Sequence, residues 1–146
     1  MGRTVLGLNE QKAYMQLWWP NFFSRVRDGV LMAEGELLPN ELCATYLVQI
    51  SMFGGARPEV RVVSPVLEPR EKGGLIPHMY SQERLCLYLP GTRQWSPEKP
   101  IAVTTVPWTS MWLYFYEVWR ATGTWLGGGV EPESTPTFRR TRHDEY

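Results

Sequence analysis

The hydrophobic positions change period along the chain, and each change marks an element. Leu8, Tyr14 or Met15, and Trp18 recur at roughly helical spacing, which predicts a helix from Asn9 to Trp19 with Asn9 able to cap its start. Pro20 ends that helix or opens a new turn. Val30 to Leu38 reads as a strand closed by Pro39-Asn40. Tyr46, Val48, Ile50 and Met52 alternate with Thr45, Gln49 and Ser51, a half-buried strand with one break at Leu47. Gly54-Gly55 and then Pro58 mark a turn before a third strand, Val60 to Val63. Pro65, Pro69, Gly73, Gly74 and Pro77 exclude regular structure between Ser64 and Tyr80. If the chain runs extended from Leu85 to Leu89, the three leucines face one way and Cys86 and Tyr88 the other. The leucines are then buried and the thiol points outward. Thr109 to Thr122 is the clearest helix: Trp112, Phe115, Tyr116 and Trp119 form an apolar stripe, Thr109 can cap the start, and Gly123 suits a left-handed end. Helix, strand meander, helix is an α+β order.

These elements belong to one domain, residues 1–129, closed by Gly127-Gly128-Gly129, which reads as a flexible linker. The tail, 130–146, is polar and charged with two prolines, a composition that predicts disorder. No internal repeat occurs. Seven Trp, seven Tyr and five Phe are many for 146 residues, so some rings are candidates for a partner surface rather than the core. Lys+Arg and Asp+Glu both number 15, which leaves no basic footprint for nucleic acid and no basic face for a membrane. The apolar runs are too short for a membrane span, and the N-terminus lacks a signal-peptide pattern. The two cysteines, Cys43 and Cys86, are then expected to be reduced thiols in a cytoplasm.

Candidate chemistry gathers around Cys86. The array runs Ile76-Pro77-His78, seven residues, Leu85-Cys86-Leu87-Tyr88, then Trp95-Ser96-Pro97. It places a thiol on a short apolar segment, after a proline-set turn and before an aromatic-proline anchor. A thiolate is a nucleophile that can carry an acyl group as a thioester, and exposure and positioning are most of what that needs. A cysteine in such a segment is also commonly a small buried hydrophobe, and the residues alone leave both readings open. His78 can donate a hydrogen bond when neutral or exchange a proton near pH 7, or it can simply satisfy loop carbonyls. Tyr80 and Arg84 lie between His78 and Cys86, where they could line a substrate groove or be solvated loop residues. Trp95 and Pro97 read as structure, Trp95 packing under the loop and Pro97 starting the next turn. Trp108 and Tyr114 lie off the helix stripe and are weaker candidates for a partner surface. Two cysteines and two histidines without ligand-pair spacing give no metal site, and no cofactor is expected. The chain has no phosphate-binding Gly-x-x-x-x-Gly-Lys loop, and Ser96 is not in a Gly-x-Ser-x-Gly elbow.

The same array resembles the active-site segment of ubiquitin-conjugating enzymes. There a His-Pro-Asn tripeptide precedes a Cys-Leu-Asp, and a Trp-Ser/Thr-Pro follows. Arg57-Pro58-Glu59-Val60-Arg61-Val62 is similar to the segment that begins that fold's third strand. The match is closer to bacterial conjugating-enzyme-like proteins of CBASS antiphage operons, of the type II short kind. It runs from Pro77-His78 through Leu85-Cys86-Leu87-Tyr88 and Val106-Pro107-Trp108 to Thr122-Gly123-Thr124-Trp125. The resemblance covers roughly Gly29 to Gly129. It implies a conjugating-enzyme-like α+β fold with a reduced C-terminal region, and a cysteine-dependent transferase with Cys86 and His78 as catalytic residues. Tyr80, Arg84 and Tyr88 would contact substrate, with Pro77, Trp95 and Pro97 supporting the site. His78 stands where the family has an oxyanion-supporting asparagine. Ile76 replaces a mainly structural histidine. Tyr88 replaces the aspartate, so that residue's role toward an incoming lysine is not carried over. The implied partner is a cGAS-like nucleotidyltransferase and its C-terminal tail. The competing expectation is a non-catalytic module or scaffold that holds that enzyme or its tail.

Overall fold

The computed structural model describes residues 4–87 and 95–127. The expected tail, 130–146, and Tyr88 and Leu89 lie outside the described residues. The first helix, α1, spans Leu8–Trp18 and buries Gln11 and Met15. Its N-cap is Gly7 rather than Asn9, and the Gly7 N–H donates to Glu10 Oε1 at 2.8 Å. A carboxylate in the first turn thus does the capping work expected of an asparagine.

Four strands follow in sequence order: β1 (Phe23–Arg27), β2 (Val30–Leu37), β3 (Tyr46–Phe53) and β4 (Glu59–Ser64). They form one antiparallel meander, β1-β2-β3-β4. β1 is absent from the sequence reading, although its signal is present. Asp28 and Gly29 form a two-residue loop with φ of 53° and 77°, closing the pair Arg27↔Val30. That is the Asp-Gly hairpin turn whose twist matches the strands it joins. The expected alternation in β3 holds: Tyr46, Val48, Ile50 and Met52 are all buried. They meet their neighbours on one face, with Leu31 opposite Met52, Ala33 opposite Ile50, Leu37 opposite Tyr46, and Ile50 opposite Val60. The register shifts between Leu47 and Val48, at the position where the polar alternation breaks.

α1 packs against β1 and β2. The second helix, α2, spans Thr105–Thr122 and starts four residues before the expected Thr109. Pro107 falls at its third position, where no intrahelical N–H bond is lost. Thr109 is therefore interior, and its hydroxyl donates to the Thr105 carbonyl at 2.8 Å. Gly123 ends the helix at φ 87°, as its residue type predicts. Trp112, Leu113, Tyr116 and Trp119 join the sheet's buried face in one core with Met15, Phe22, Ile76, Met79, Leu85 and Ile101.

Candidate functional site

Two short strands carry the site. β5 (Met79–Tyr80) and β6 (Arg84–Leu85) pair antiparallel, Met79 opposite Leu85 and Tyr80 opposite Arg84. Three residues near this hairpin hold left-handed backbone: His78 at φ 57°, Ser81 at 53° and Gln82 at 55°. Such conformations cost non-glycine residues roughly 1–2 kcal/mol each and persist only where surrounding bonds fix them. The bonds are present. The Gln82 side chain accepts from the Ile76 N–H at 2.7 Å and donates to the Ile76 carbonyl at 2.8 Å. One amide thereby satisfies both backbone polar groups of Ile76, in the segment before the hairpin. The His78 carbonyl accepts from the Cys86 N–H at 2.9 Å and from Trp112 Nε1 at 3.0 Å. His78 and Cys86 are thus adjacent through the backbone, and α2 holds the turn from behind.

Cys86 is only 6% exposed. This corrects the expectation of an outward thiol. β6 ends at Leu85, so the strand alternation does not continue, and Leu85 and Cys86 are both buried while Leu87 is half-buried. The Cys86 side chain neighbours the Tyr80 hydroxyl. Burial first, and then the neighbouring Cys86 side chain, push the Tyr80 phenol well above its ordinary pKa, so it stays protonated. Burial pushes the His78 imidazole below 6.5, which favours the neutral ring at pH 7. Its ring lies 5.0 Å from that of Trp125, which also meets Trp112 edge-on at 5.2 Å.

A pocket of about 300 Å³ opens beside the hairpin, lined by Arg57, Pro58, Glu59, Tyr80, Arg84, Leu85 and Leu87. Arg84 stands over the Tyr80 ring at 5.3 Å and reaches Glu59 at 3.3 Å. Tyr80 and Arg84 therefore share one wall with the residues flanking the thiol. Pro77 is half-buried in the turn before His78. Trp95 packs against the core, and its buried indole N–H has no acceptor among the described residues. The Pro97 carbonyl accepts from the Leu6 N–H at 3.0 Å.

Cys43 sits in different surroundings. It is half-buried, and burial and the nearby Glu117 carboxylate raise its pKa, so the thiolate is disfavoured there. Glu117 Oε2 accepts from the Tyr46 hydroxyl at 2.5 Å and the Ala44 N–H at 2.9 Å, which fixes the carboxylate in place. Among the described residues no three His, Cys, Asp or Glu side chains gather as a metal-holding group. Nor is any described helix long and apolar enough to cross a membrane. Sequence reasoning missed Gln82, whose role depends on a turn that only the folded loop defines. It also took Trp112 for core alone, without its bond to His78.

A helix on a four-stranded antiparallel meander, followed by a cysteine-bearing loop and a second helix, defines an α+β domain of the ubiquitin-conjugating type. The chain belongs to the type II CBASS E2 protein family, whose model matches residues 11–132. That family places it in CBASS antiphage systems. No curated protein matches the chain at a significant level.

Proposed function

We propose that the protein is a cysteine-dependent acyl transferase of a CBASS system, carrying a protein's C-terminal carboxyl as a thioester on Cys86. The observation that carries this reading is the pairing of the two cysteines with opposite surroundings. Cys86 neighbours the protonated Tyr80 phenol and its N–H donates to the His78 carbonyl at 2.9 Å, whereas Cys43 lies beside the Glu117 carboxylate. In loading, the Cys86 sulfur attacks the carbonyl carbon of a carboxyl already activated as a thioester or acyl adenylate. The C–S bond forms and the donor's leaving group departs with its electron pair. In discharge, an amine attacks the same carbon, the C–S bond breaks, and the amine gives its extra proton to solvent. His78 supports the oxyanion of that second step as a neutral N–H donor. Tyr80 and Arg84 line the wall along which the incoming chain lies, and Tyr88 is a further contact to that chain. The carboxyl donor is the tail of a cGAS-like nucleotidyltransferase, and the reaction takes place in the cytoplasm.

Incubation with the neighbouring system's proteins and non-reducing electrophoresis test this. A reductant-sensitive adduct should form on the natural chain and on Cys43→Ala, and vanish on Cys86→Ala. Loss in Cys43→Ala with a normal melting curve would overturn the assignment. The second reading, a scaffold that binds the nucleotidyltransferase tail without chemistry, is favoured by the burial of Cys86. It requires undiminished binding by Cys86→Ala and no adduct on any variant.

A further inference from the structure

Past the end of α2 the chain turns back toward the site. Gly123 makes the turn at φ 87°, and the Thr124 N–H donates to Thr122 Oγ1 at 3.0 Å, which fixes the first step of the return. The strap that follows buries little of itself. Thr124, Leu126 and Gly127 are exposed, whereas Trp125 is half-buried and packs against the core. Its indole meets Trp112 edge-on at 5.2 Å and Phe115 edge-on at 6.0 Å. On the site side it lies 5.0 Å from the His78 ring, the two planes inclined at 40°. Gly127 closes the strap tightly: a Cβ there would come 2.7 Å from the Phe115 ring and 2.9 Å from Trp125 Nε1. The glycine is thus what lets the backbone approach close enough to seat the indole.

His78 is held at two points of different kinds. Its carbonyl accepts from Trp112 Nε1 at 3.0 Å and from the Cys86 N–H at 2.9 Å, which fixes the backbone. Neither bond sets how the ring is turned, and the outer torsion of a histidine is intrinsically broad. The ring is met instead by Trp125. A hydrogen-bond donor contributes to catalysis only when it is aimed, and its aim depends on the packing that locks its rotamer. We propose that Trp125 is a positioning residue: its indole, seated on Trp112 and Phe115, fixes the rotamer of the His78 imidazole and so aims the N–H that meets the oxyanion. The oxyanion half rests on the reading of His78 given above; the fixing of the ring does not.

The test uses the full chain carrying ring-labelled histidine, at about pH 8, where the His78 imidazole is neutral. The sequence has two histidines, and His143→Gln identifies the His78 resonances. An indole fixed at 5.0 Å displaces the ring-proton shifts from those of free histidine. Trp125→Leu should return them toward the free value, and Trp125→Phe should lie between. Unmoved resonances in a folded Trp125→Leu overturn the proposal. Should that variant not fold, Trp125→Phe decides the matter in the same way. Discharge of a loaded thioester should slow about tenfold in Trp125→Leu, a part of the roughly hundredfold that an oxyanion donor supplies, with loading near the natural rate. In a His78→Ala background the same substitution should slow discharge no further, because the ring it positions is gone. An equal slowing in that background would show that Trp125 acts through the fold alone, and would overturn the proposal. If no variant forms an adduct, the transfer reading falls, and the resonances alone decide whether Trp125 fixes the ring.

Discussion

At the scale of the residue, His78 gathers the most constraints. Its backbone is left-handed, its carbonyl takes two hydrogen bonds, and its ring is half-buried against Trp125. Burial lowers its pKa, so it titrates below 6.5. Above that range the ring is a neutral donor, suited to an oxyanion and poor as a proton acceptor. His78→Ala should therefore load at close to the normal rate and discharge roughly a hundredfold more slowly. His78→Asn should recover part of the rate, because an amide donates a similar bond. The ratio of discharge in the natural protein to that in His78→Asn should hold steady as pH rises above 6.5, where the ring is neutral, and should not fall in acid, since the imidazolium still has an N–H to donate. Timing the two steps separately by quenched non-reducing gels decides this, and equal loss in both steps would remove the oxyanion role. The array containing His78 was legible in the sequence. Its cage was not, since Trp112 and Trp125 come from 34 and 47 positions further along.

At the scale of the element, the strands show what a local pattern can and cannot carry. β2, β3 and β4 were legible because one face is buried and the other is not, so period-two alternation survives in the sequence. β1 was passed over because Phe23 at its start is exposed while Ser24 is buried, which inverts the expected polarity. The Asp28-Gly29 turn was the better signal. β6 misled in another way: it is two residues long, too short to propagate the alternation that would have turned the thiol outward. Gly35 in β2 has a reason of its own. A Cβ added there would lie 2.4 Å from the Phe22 ring. Gly35→Ala should thus lower stability by about 1–3 kcal/mol through a displaced ring or a shifted strand. Chemical denaturation measures it, and Phe22→Leu in the same background should give part of the loss back. Additive losses would show that the ring is not what the methyl group meets.

At the scale of the whole molecule, the two ends of the described chain depend on each other. Gln11 is fully buried, its Oε1 accepting from the Ile101 N–H at 2.8 Å and its Nε2 donating to the Lys99 carbonyl at 3.2 Å. Trp19 Nε1 donates to the Ala102 carbonyl at 2.7 Å. These bonds tie α1 to the segment that leads into α2, and no local pattern announces them, because Gln11 reads in sequence as a solvated helix residue. Gln11→Leu keeps most of the volume but leaves the Ile101 N–H and Lys99 carbonyl without this partner. A loss of about 1–3 kcal/mol in urea denaturation is expected, and an unchanged midpoint would mean that water replaces the amide at little cost. The 90-residue separation of Gln11 and Ile101 has a further consequence for how the protein is made. α1 leaves the ribosome first, yet its buried amide has no partner until the chain past position 101 has also emerged. The meander can pair while synthesis continues, but Gln11 in α1 waits for the segment that leads into α2. A nascent chain arrested before that point would present a sheet with one helix still exchanging, and the opening segment would be the last part of the protein to become resistant to a protease.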